Sequence, residues 1–342
     1  MNKKLFGRLL PVPALIAVAV LTLSTVFCIR NTIKSNIKKD GFDSVLKGMD
    51  ICALSIKNDS IYAGGAAGLF TVDMADLKTN KIGDYRYVRA ILDTDDGLWI
   101  GHDFGLTFSG GQTLTFTTKD GLPDNRVNAL MLDGNHTLWI GTWGGAASFN
   151  GKNFTVYKEK NGLLCDMVNV IMQDSYGCVW FGSYIAPRGG ISVFSHGKWQ
   201  YFTTNDALMH ANINAIIETR KKSVIAGGGL YTKGGGTRFI YKDNIWTKCG
   251  NVTKNDGIAG DKIRSLFEDS QSRLWVGSEY DGLAVLSETG SIKLDKTNGL
   301  PNNEVKIIKE DKYGYIWIGT RGGLTRISKE GLEQLDKTQK EV

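Results

Sequence analysis

Proline and cysteine are both scarce in this chain of 342 residues, which contains five of each. The low proline content, beside 42 glycines, excludes proline-rich linkers and favours many tight turns between short strands. The cysteines at positions 28, 52, 165, 178 and 249 show no C-x-x-C or other metal-type spacing, and no H-x-E pair occurs. We therefore expect no metal, no cofactor and no disulfide framework.

Excess charge is also missing from most of the chain. The formal net charge is +6, but residues 1–40 alone carry a surplus of six basic side chains. Residues 41–342 hold 34 basic and 34 acidic side chains. A nucleic-acid-binding domain concentrates basic charge on its folded part. Neither DNA nor RNA is therefore an expected partner.

One long apolar run, "LLPVPALIAVAVLTLSTVFC" at residues 9–28, contains no charged residue and follows Lys3, Lys4 and Arg8. Its length matches a bilayer-spanning helix, and the preceding basic residues are typical of a signal anchor. No small-x-small cleavage site follows it. We predict an uncleaved transmembrane segment within residues 1–30 and a polar, basic tether over residues 31–44.

After the tether the sequence repeats itself, which is best seen in segments such as "DKYGYIWIGTRGGLTRI" at residues 311–327. An apolar strand ends at a glycine in each of seven copies, and these glycines follow one another at intervals of 37 to 50 residues. They are Gly64, Gly101, Gly141, Gly182, Gly227, Gly277 and Gly319.

Other residues keep a fixed distance from this glycine. Two residues before it stand Trp99, Trp139, Trp180, Trp275 and Trp317. Eight residues before it stand Asp93, Asp133, Asp174, Asp269 and Asp311, and twenty before it stand Gly121, Gly162, Gly257 and Gly299. We expect the Asp side chains to accept hydrogen bonds from turn amides and the Trp side chains to pack between neighbouring sheets. We expect the strand-ending glycine to permit a turn or a close approach of two backbones.

Each copy has room for four short antiparallel strands, and a small sheet that is apolar on both faces must be covered on both faces. An open solenoid would leave an uncovered apolar sheet at each end, and its end repeats are usually atypical. The seventh copy, in contrast, is among those that keep the repeat pattern best. The prediction is an all-β chain: a seven-bladed β-propeller of four-stranded antiparallel blades over residues 45–338. The segment "LEQLD" at residues 332–336 is expected to supply the last strand, so that both termini leave on the face that carries the ligand site.

The phrase G-L-P-x-N-x-V, followed by D-x-x-G-x-[LI]-W-[IV]-G-T-x-G-G-L, resembles the two-component regulator propeller repeat. It is read here at residues 121–146 and 299–324, the fourth and sixth copies match nearly as well, and the others are degenerate. The resemblance covers roughly residues 45 to 336. It implies an extracytoplasmic sensor domain, facing the periplasm or the cell exterior.

No histidine of the chain, at positions 102, 136, 196 or 210, lies in a kinase-like phosphoacceptor context. We therefore expect a recognition domain without a kinase output of its own, which would need a membrane signalling partner. Its expected ligand is a small molecule, a glycan or a peptide.

The candidate binding residues lie in the loops that follow the "WIG" strands, where aromatic, charged and amide side chains concentrate. Stacking aromatics with a few polar anchors suit sugars and peptides, and loops on a rigid frame commonly carry binding sites. The candidates are His102, Asp103, Phe104, Trp143, Tyr184, Arg188, Tyr231, Glu279, Tyr280, Asp281 and Arg321.

Two other functions stay open. Streptogramin lyases are similar seven-bladed propellers, and a likeness to them would imply a metal-assisted lyase with His and acidic residues near the axis. Only His102 lies in a loop after a "WIG" strand, which is a poor basis for such a site. A protein-interaction scaffold is the second alternative, because propellers host many unrelated functions.

Overall fold

The computed structural model describes residues 41–231 and 233–340. Seven separate sheets fill this part of the chain, and each sheet contains four antiparallel strands. The predicted transmembrane segment at residues 9–28 lies outside the described residues. Within them, no helix combines the length and the apolar character that crossing a bilayer requires.

The strands are numbered along the chain and grouped by their position in each sheet. The innermost strands are β2 (Ile51–Lys57), β6 (Ala90–Thr94), β10 (Val127–Leu132), β14 (Val168–Gln173), β18 (Ile213–Glu218), β22 (Ile263–Glu268) and β26 (Val305–Glu310). The second strands are β3 (Ser60–Gly65), β7 (Gly97–His102), β11 (Leu138–Thr142), β15 (Val179–Ser183), β19 (Ser223–Leu230), β23 (Leu274–Ser278) and β27 (Ile316–Thr320). The third strands are β4 (Gly68–Asp73), β8 (Gly105–Ser109), β12 (Gly145–Phe149), β16 (Ile191–Ser195), β20 (Lys233–Lys242), β24 (Leu283–Ser287) and β28 (Gly323–Ile327).

The outer strands are β5 (Thr79–Gly83), β9 (Thr113–Phe116), β13 (Phe154–Tyr157), β17 (Lys198–Phe202), β21 (Ile245–Val252), β25 (Gly290–Leu294) and, in the last sheet, β1 (Phe42–Val45). Short 3-10 turns occupy Glu159–Asn161, Thr204–Asp206 and Lys254–Asp256, and one helix, α1 (Lys329–Lys340), follows β28. Each innermost strand contacts the innermost strand of the next sheet, and β26 contacts β2. The sheets are therefore seven blades of a closed ring, as the repeat predicts.

The repeated tryptophans lie in the apolar layers between blades, and their partners explain the repeated aspartates. Asp174 Oδ1 accepts hydrogen bonds from the amides of Tyr176 and Cys178 at 2.9 Å. Its Oδ2 accepts a hydrogen bond of 2.7 Å from the indole Nε1 of Trp180, which is fully buried. The same arrangement recurs at residues 133, 269 and 311. The predicted turn bonds and interblade packing are confirmed, and the carboxylate also satisfies the indole that the core buries.

The strand-ending glycines allow neighbouring blades to approach closely. A Cβ on Gly319 would lie 2.5 Å from Ile307 Cγ2 and 2.9 Å from the carbonyl oxygen of Ile51 in the next blade. Real Cβ contacts are not this short, so a larger residue would push the first and seventh blades apart. The prediction of a close approach is confirmed here.

Ring closure differs from the prediction. The last strand of blade seven is β1, which pairs antiparallel with β28 from Phe42↔Ile327 to Val45↔Leu324. The predicted strand "LEQLD" belongs to helix α1 instead. The segment 42–44, predicted as tether, is therefore part of the propeller.

This closure also corrects the expected position of the termini. Because β1 runs antiparallel to β28, Gly41 and the start of α1 lie at the same end of the blade, where the Ser328 amide donates to the Gly41 carbonyl at 2.8 Å. That end carries the aspartate hairpins. Gly41 and the start of α1 therefore lie on the face opposite the "WIG" loops, whereas the sequence predicted that the propeller would begin and end on the "WIG" face.

Candidate functional site

The loops after the second strands and the linkers between blades lie on one face, because strands alternate in direction within each blade. We call this surface the funnel face. It includes residues 103–104, 143–144, 184–189, 279–282 and 321–322, together with the start of each innermost strand. The predicted site residues that lie in these loops therefore share one face.

On one side of the funnel, arginines hold the exposed aromatic rings. Trp143 is 37% exposed, and its ring lies 4.6 Å from the guanidinium of Arg126 and 5.6 Å from that of Arg89. Arg89 also stacks on Tyr87 at 4.2 Å and donates two hydrogen bonds, of 3.0 and 2.9 Å, to Asp103 Oδ1. Cation–π contacts and two charge-assisted hydrogen bonds to one carboxylate oxygen restrict these side chains before any ligand arrives.

On the other side, Glu279 organises two cations. Its Oε2 lies 2.7 Å from Lys262 Nζ and 3.5 Å from Arg264 Nε. Burial by itself would raise the pKa of Glu279, but the hydrogen bond from Lys262 and the charge of Arg264 outweigh burial and hold that pKa below its usual range. Tyr280, which is half exposed, presents its ring 5.4 Å from the ammonium of Lys262.

Residues of the first and seventh blades join these two sides. Lys306 Nζ lies 2.7 Å from Asp50 Oδ1 and 3.3 Å from Glu304 Oε1. The Tyr87 hydroxyl donates a hydrogen bond of 2.9 Å to Asp50 Oδ2, and Arg264 Nη2 lies 3.7 Å from Glu304 Oε1. Burial alone would lower the pKa of Lys306, but the contact with Asp50 outweighs it and raises that pKa.

The contacts form one continuous chain, which we call the mouth network. It runs from Trp143 through Arg89, Tyr87, Asp50, Lys306, Glu304, Arg264, Glu279 and Lys262 to Tyr280. Asp103 branches from it at Arg89, and the exposed Arg321 branches from it at Glu304, 3.9 Å away. The structure thus connects Asp103, Trp143, Glu279, Tyr280 and Arg321 of the predicted set.

The other predicted residues are placed differently. Phe104 is exposed and lies 5.4 Å from Arg86. Asp281 accepts a bond from the Ser278 hydroxyl within its own turn. Tyr231 and Arg188 are exposed on loops of their own blades, and Tyr184 is half-buried.

His102 is buried, so it does not line the funnel surface. Its Nδ1 accepts a hydrogen bond from the Phe104 amide at 3.2 Å, and its Nε2 lies 2.9 Å from Thr107 Oγ1. Burial lowers the pKa of this imidazole. Thr142 and Thr320 occupy the same position in their blades, where their hydroxyls form hydrogen bonds with the following turn. His102 therefore stabilises the corresponding turn in blade two.

Below the mouth network, a cavity of about 320 Å³ follows the ring axis between the innermost strands. We call it the axial cavity. Its polar wall comes from Cys52, Tyr87, Arg89, Asn128, Asn169, Asn214, Arg264, Lys306 and Lys309, and aliphatic residues such as Leu54, Leu130 and Ile171 form the rest. All seven innermost strands or their leading residues contribute.

A bulge places most of these polar side chains. The register of the first strand pair shifts across residues 52, 128, 169, 214, 264 and 306 in six of the blades. The extra residue of a bulge redirects its side chain. Asn128 then donates to the Val168 carbonyl at 3.0 Å, and Asn214 donates to the Ile263 carbonyl at 2.7 Å, so bulge residues also connect neighbouring blades.

Reasoning from the sequence missed this axial ring. The signal was available, because the residue thirteen positions before the strand-ending glycine is Asn128, Asn169, Asn214, Arg264 or Lys306 in the last five copies. Polar residues at a fixed position within an apolar strand indicate a surface that is not core.

Comparison with known proteins supports the fold and the repeat. The Two component regulator propeller family matches residues 121–144, 162–184, 257–280 and 299–322. No curated protein matches the chain by sequence.

Solved structures share the architecture at low identity. The extracellular domain of a protein described as a hybrid two component system from B. thetaiotaomicron is 19% identical with a TM-score of 0.72, over 86% of this chain and 42% of that one. Virginiamycin B lyase from Staphylococcus aureus is 12% identical with a TM-score of 0.62, over 84% of this chain and 98% of that one. PorZ, a surface component of the type-IX secretion system of Porphyromonas gingivalis, is 15% identical with a TM-score of 0.59, over 80% of this chain and 46% of that one.

At these identities the likeness concerns the fold, and the chain spans less than half the length of the first and third of these proteins. The family match and the seven four-stranded blades agree with each other. Residues 41–340 form a seven-bladed propeller, and four of its repeats match the two-component regulator propeller family.

Proposed function

We propose that this propeller is an extracytoplasmic recognition domain whose funnel face binds a small molecule, a glycan or a peptide. The observation that carries the proposal is the mouth network, which holds Trp143 and Tyr280 partly exposed above a cavity on the ring axis. Aromatic surface with fixed polar neighbours around a concavity is the usual composition of a ligand site. Preorganised side chains also lose less entropy when a ligand binds.

The setting of the domain is part of the same proposal. The similar structures include extracellular domains of two component systems, and residues 9–28 have the composition of a membrane anchor. Gly41 lies on the face opposite the funnel. A separate membrane protein would pass the signal on.

A lyase is the weaker candidate. The two histidines near the funnel face are both engaged by backbone amides, since His102 Nδ1 accepts from Phe104 and His210 Nδ1 accepts from Asn212 at 3.0 Å. A general base needs a free ring nitrogen near the substrate. The shared fold of virginiamycin B lyase does not by itself carry its activity to this chain.

The test is a binding screen of the full-length chain against glycans and peptides, followed by variants on both faces. We expect Trp143→Ala and Tyr280→Ala each to weaken the binding of any ligand found by tenfold or more. Tyr313→Ala, which removes an aromatic that is 61% exposed on the opposite face, is the matched control. A ligand that responds to Tyr313→Ala alone contradicts the funnel assignment, and turnover of a ligand favours the lyase.

A further inference from the structure

The axial cavity has an unbalanced wall. Four cationic side chains line it, from Arg89, Arg264, Lys306 and Lys309, whereas no carboxylate is among its lining residues. Three asparagines supply the remaining strongly polar groups. A wall of this kind favours a negatively charged occupant over a neutral or cationic one.

Three of the four cations are already neutralised from outside the cavity. Arg89 pairs with Asp103, Arg264 pairs with Glu279 and Glu304, and Lys306 pairs with Asp50 and Glu304. Among residues 41–231 and 233–340, none forms an ion pair or a hydrogen bond with Lys309. The described part of the cavity therefore holds one uncompensated positive charge.

Comparison of the blades shows that Lys309 is exceptional. It pairs with Trp317 in its blade. The residue in the same register is Leu92, Met131, Met172, Ile217 or Phe267 in five other blades, and Ser55 in the first. The fold therefore accepts an apolar residue here, and packing does not require a lysine.

The Lys309 side chain lies where an anion in the axial cavity could reach it. The side chain is exposed to solvent within the cavity wall, and the protein atoms that surround it reduce its hydration enough to lower its pKa. Burial is the only cause, so no neighbouring carboxylate compensates for lost hydration. A bound anion would supply the negative counter-charge that the cavity wall lacks.

We propose that the axial cavity binds a small organic monocarboxylate, with its carboxylate at Lys309 Nζ and its polar body at the level of the asparagines. This inference deepens the proposed function, on which it rests, by naming a ligand class and a site below the mouth. The volume of about 320 Å³ is at the lower end for small-molecule sites. Residues 306 and 309 are separated by about 10 Å along an extended strand, which sets the length of the occupant.

The asparagines can meet the hydroxyl groups of such a ligand. Asn128 uses one N–H for the Val168 carbonyl, and among the described residues nothing engages its second N–H. Asn214 likewise donates one N–H to the Ile263 carbonyl. A hydroxycarboxylate therefore fits the two levels of the cavity better than a plain fatty acid.

The experiment measures thermal stabilisation and calorimetric binding of the full-length chain with formate, acetate, lactate and gluconate. Lactamide and sodium chloride at equal ionic strength are the controls for charge and for inorganic anions. We expect saturable stabilisation by at least one carboxylate and none by lactamide. Stabilisation by chloride of equal size, by lactamide, or by no carboxylate at all would overturn the proposal.

Lys309→Met is the decisive variant, because Met131 and Met172 occupy the same register in their blades. We expect it to weaken carboxylate binding tenfold or more, whereas Lys309→Arg retains most of the affinity. Wild-type binding by Lys309→Met would refute the site. In the wild type, affinity should also fall as the pH rises through the pKa of Lys309, and in Lys309→Arg it should not.

The rim variants separate this proposal from the proposed function. The control for the small carboxylates is Tyr313→Ala, which should leave their binding unchanged because Tyr313 lies on the opposite face and does not line the axial cavity. If Trp143→Ala abolishes carboxylate binding and Lys309→Met does not, the anion lies at the rim and the axial assignment fails. If Lys309→Met alone abolishes it, the axial site stands whether or not a larger ligand is found for the funnel face.

Discussion

Replacing Asp174 by Asn tests whether the repeated Asp–Trp pair stabilises the blades. The substitution keeps the shape of the side chain and keeps Oδ1 as acceptor for the Tyr176 and Cys178 amides. It replaces Oδ2 by an NH2 group that faces the indole N–H of Trp180, now 2.7 Å from Oδ2. Two donors then face each other inside the core, where Trp180 is fully buried.

The expected loss follows from the orphaned indole. A buried donor without a partner costs about 1–3 kcal/mol, and a hydrogen bond to a charged acceptor contributes about 1.5–3 kcal/mol. Both values describe the same bond, so we expect the free energy of unfolding to fall by about 2–3 kcal/mol. In a domain of this size the Tm should fall by about 5 °C.

Asp93→Asn is the matched control, because Asp93 holds the same repeat position in blade two but pairs with Lys57 Nζ at 2.6 Å. That pair is partly exposed, and such pairs contribute about 0–1 kcal/mol. Thermal unfolding followed by near-UV circular dichroism compares the two variants. Equal Tm values for them would refute the reasoning. A Trp180→Phe background should also reduce the effect of Asp174→Asn, since it removes the orphaned donor.

Three other predictions address closure, reactivity and pH dependence. Phe42→Ala, which empties a nearly buried position in β1, should lower the free energy of unfolding by about 3–4 kcal/mol and expose the amino-terminal strand to protease; no change in either would contradict closure by β1. Burial raises the pKa of Cys52 to about 12, so iodoacetamide at pH 8 should label the exposed Cys249 and spare Cys52 until the protein unfolds, as peptide mass mapping would show. Burial lowers the pKa of His102, so the unfolded chain binds its proton first and stability falls as the pH drops below about 6.5; His102→Thr should reduce that loss in denaturation measured between pH 7 and 5.

The blade architecture could be predicted from the sequence because the residues that fix it recur. Gly319 must be glycine for the seventh blade to approach the first, and Trp317 must fill the layer between blades, so both keep their phase in most copies. The regular spacing of these residues reflects packing requirements that are the same within each blade. Such a requirement is visible without knowledge of distant contacts.

Closure could not be predicted in the same way, because β1 forms its blade with residues about 280 positions away. The four residues "FDSV" carry no repeat signature, and their partner β28 is recognised only once the ring has closed. The helix α1 was predictable in principle. Its sequence "KEGLEQLDKTQK" is rich in Lys, Glu, Gln and Leu, which favour helix. The prediction of a strand there was wrong because β1, and not this segment, supplies the fourth strand of blade seven.

The exposure of Trp143 and Tyr280 could be predicted from the sequence because it depends on their own loops. Contacts with residues distant in the sequence could not be predicted. Histidine is a common residue in functional sites, but His102 forms its hydrogen bonds with Phe104 and Thr107 of its own blade. Arg89 and Glu304 precede strands and carry no loop signal, yet they join the two sides of the mouth network. Their role depends on which blades the ring brings together.

The bulges separate what specifies the fold from what determines binding. A regular strand would send the side chain at position 169 or 306 into an interblade layer, where only an apolar residue fits. The bulge releases that position from the layer, so it can be Asn, Arg, Lys or Cys while the glycine is kept in all seven copies and the tryptophan in five. The chemistry of the axis can therefore change without loss of the ring. Lys309 lies outside the bulges and is the exception, since there a charge replaces the apolar side chain that five of the other six blades keep. Since the ring forms with an apolar residue at this register in five blades, Lys309→Met is expected to keep the fold and to change only the charge of the axial cavity.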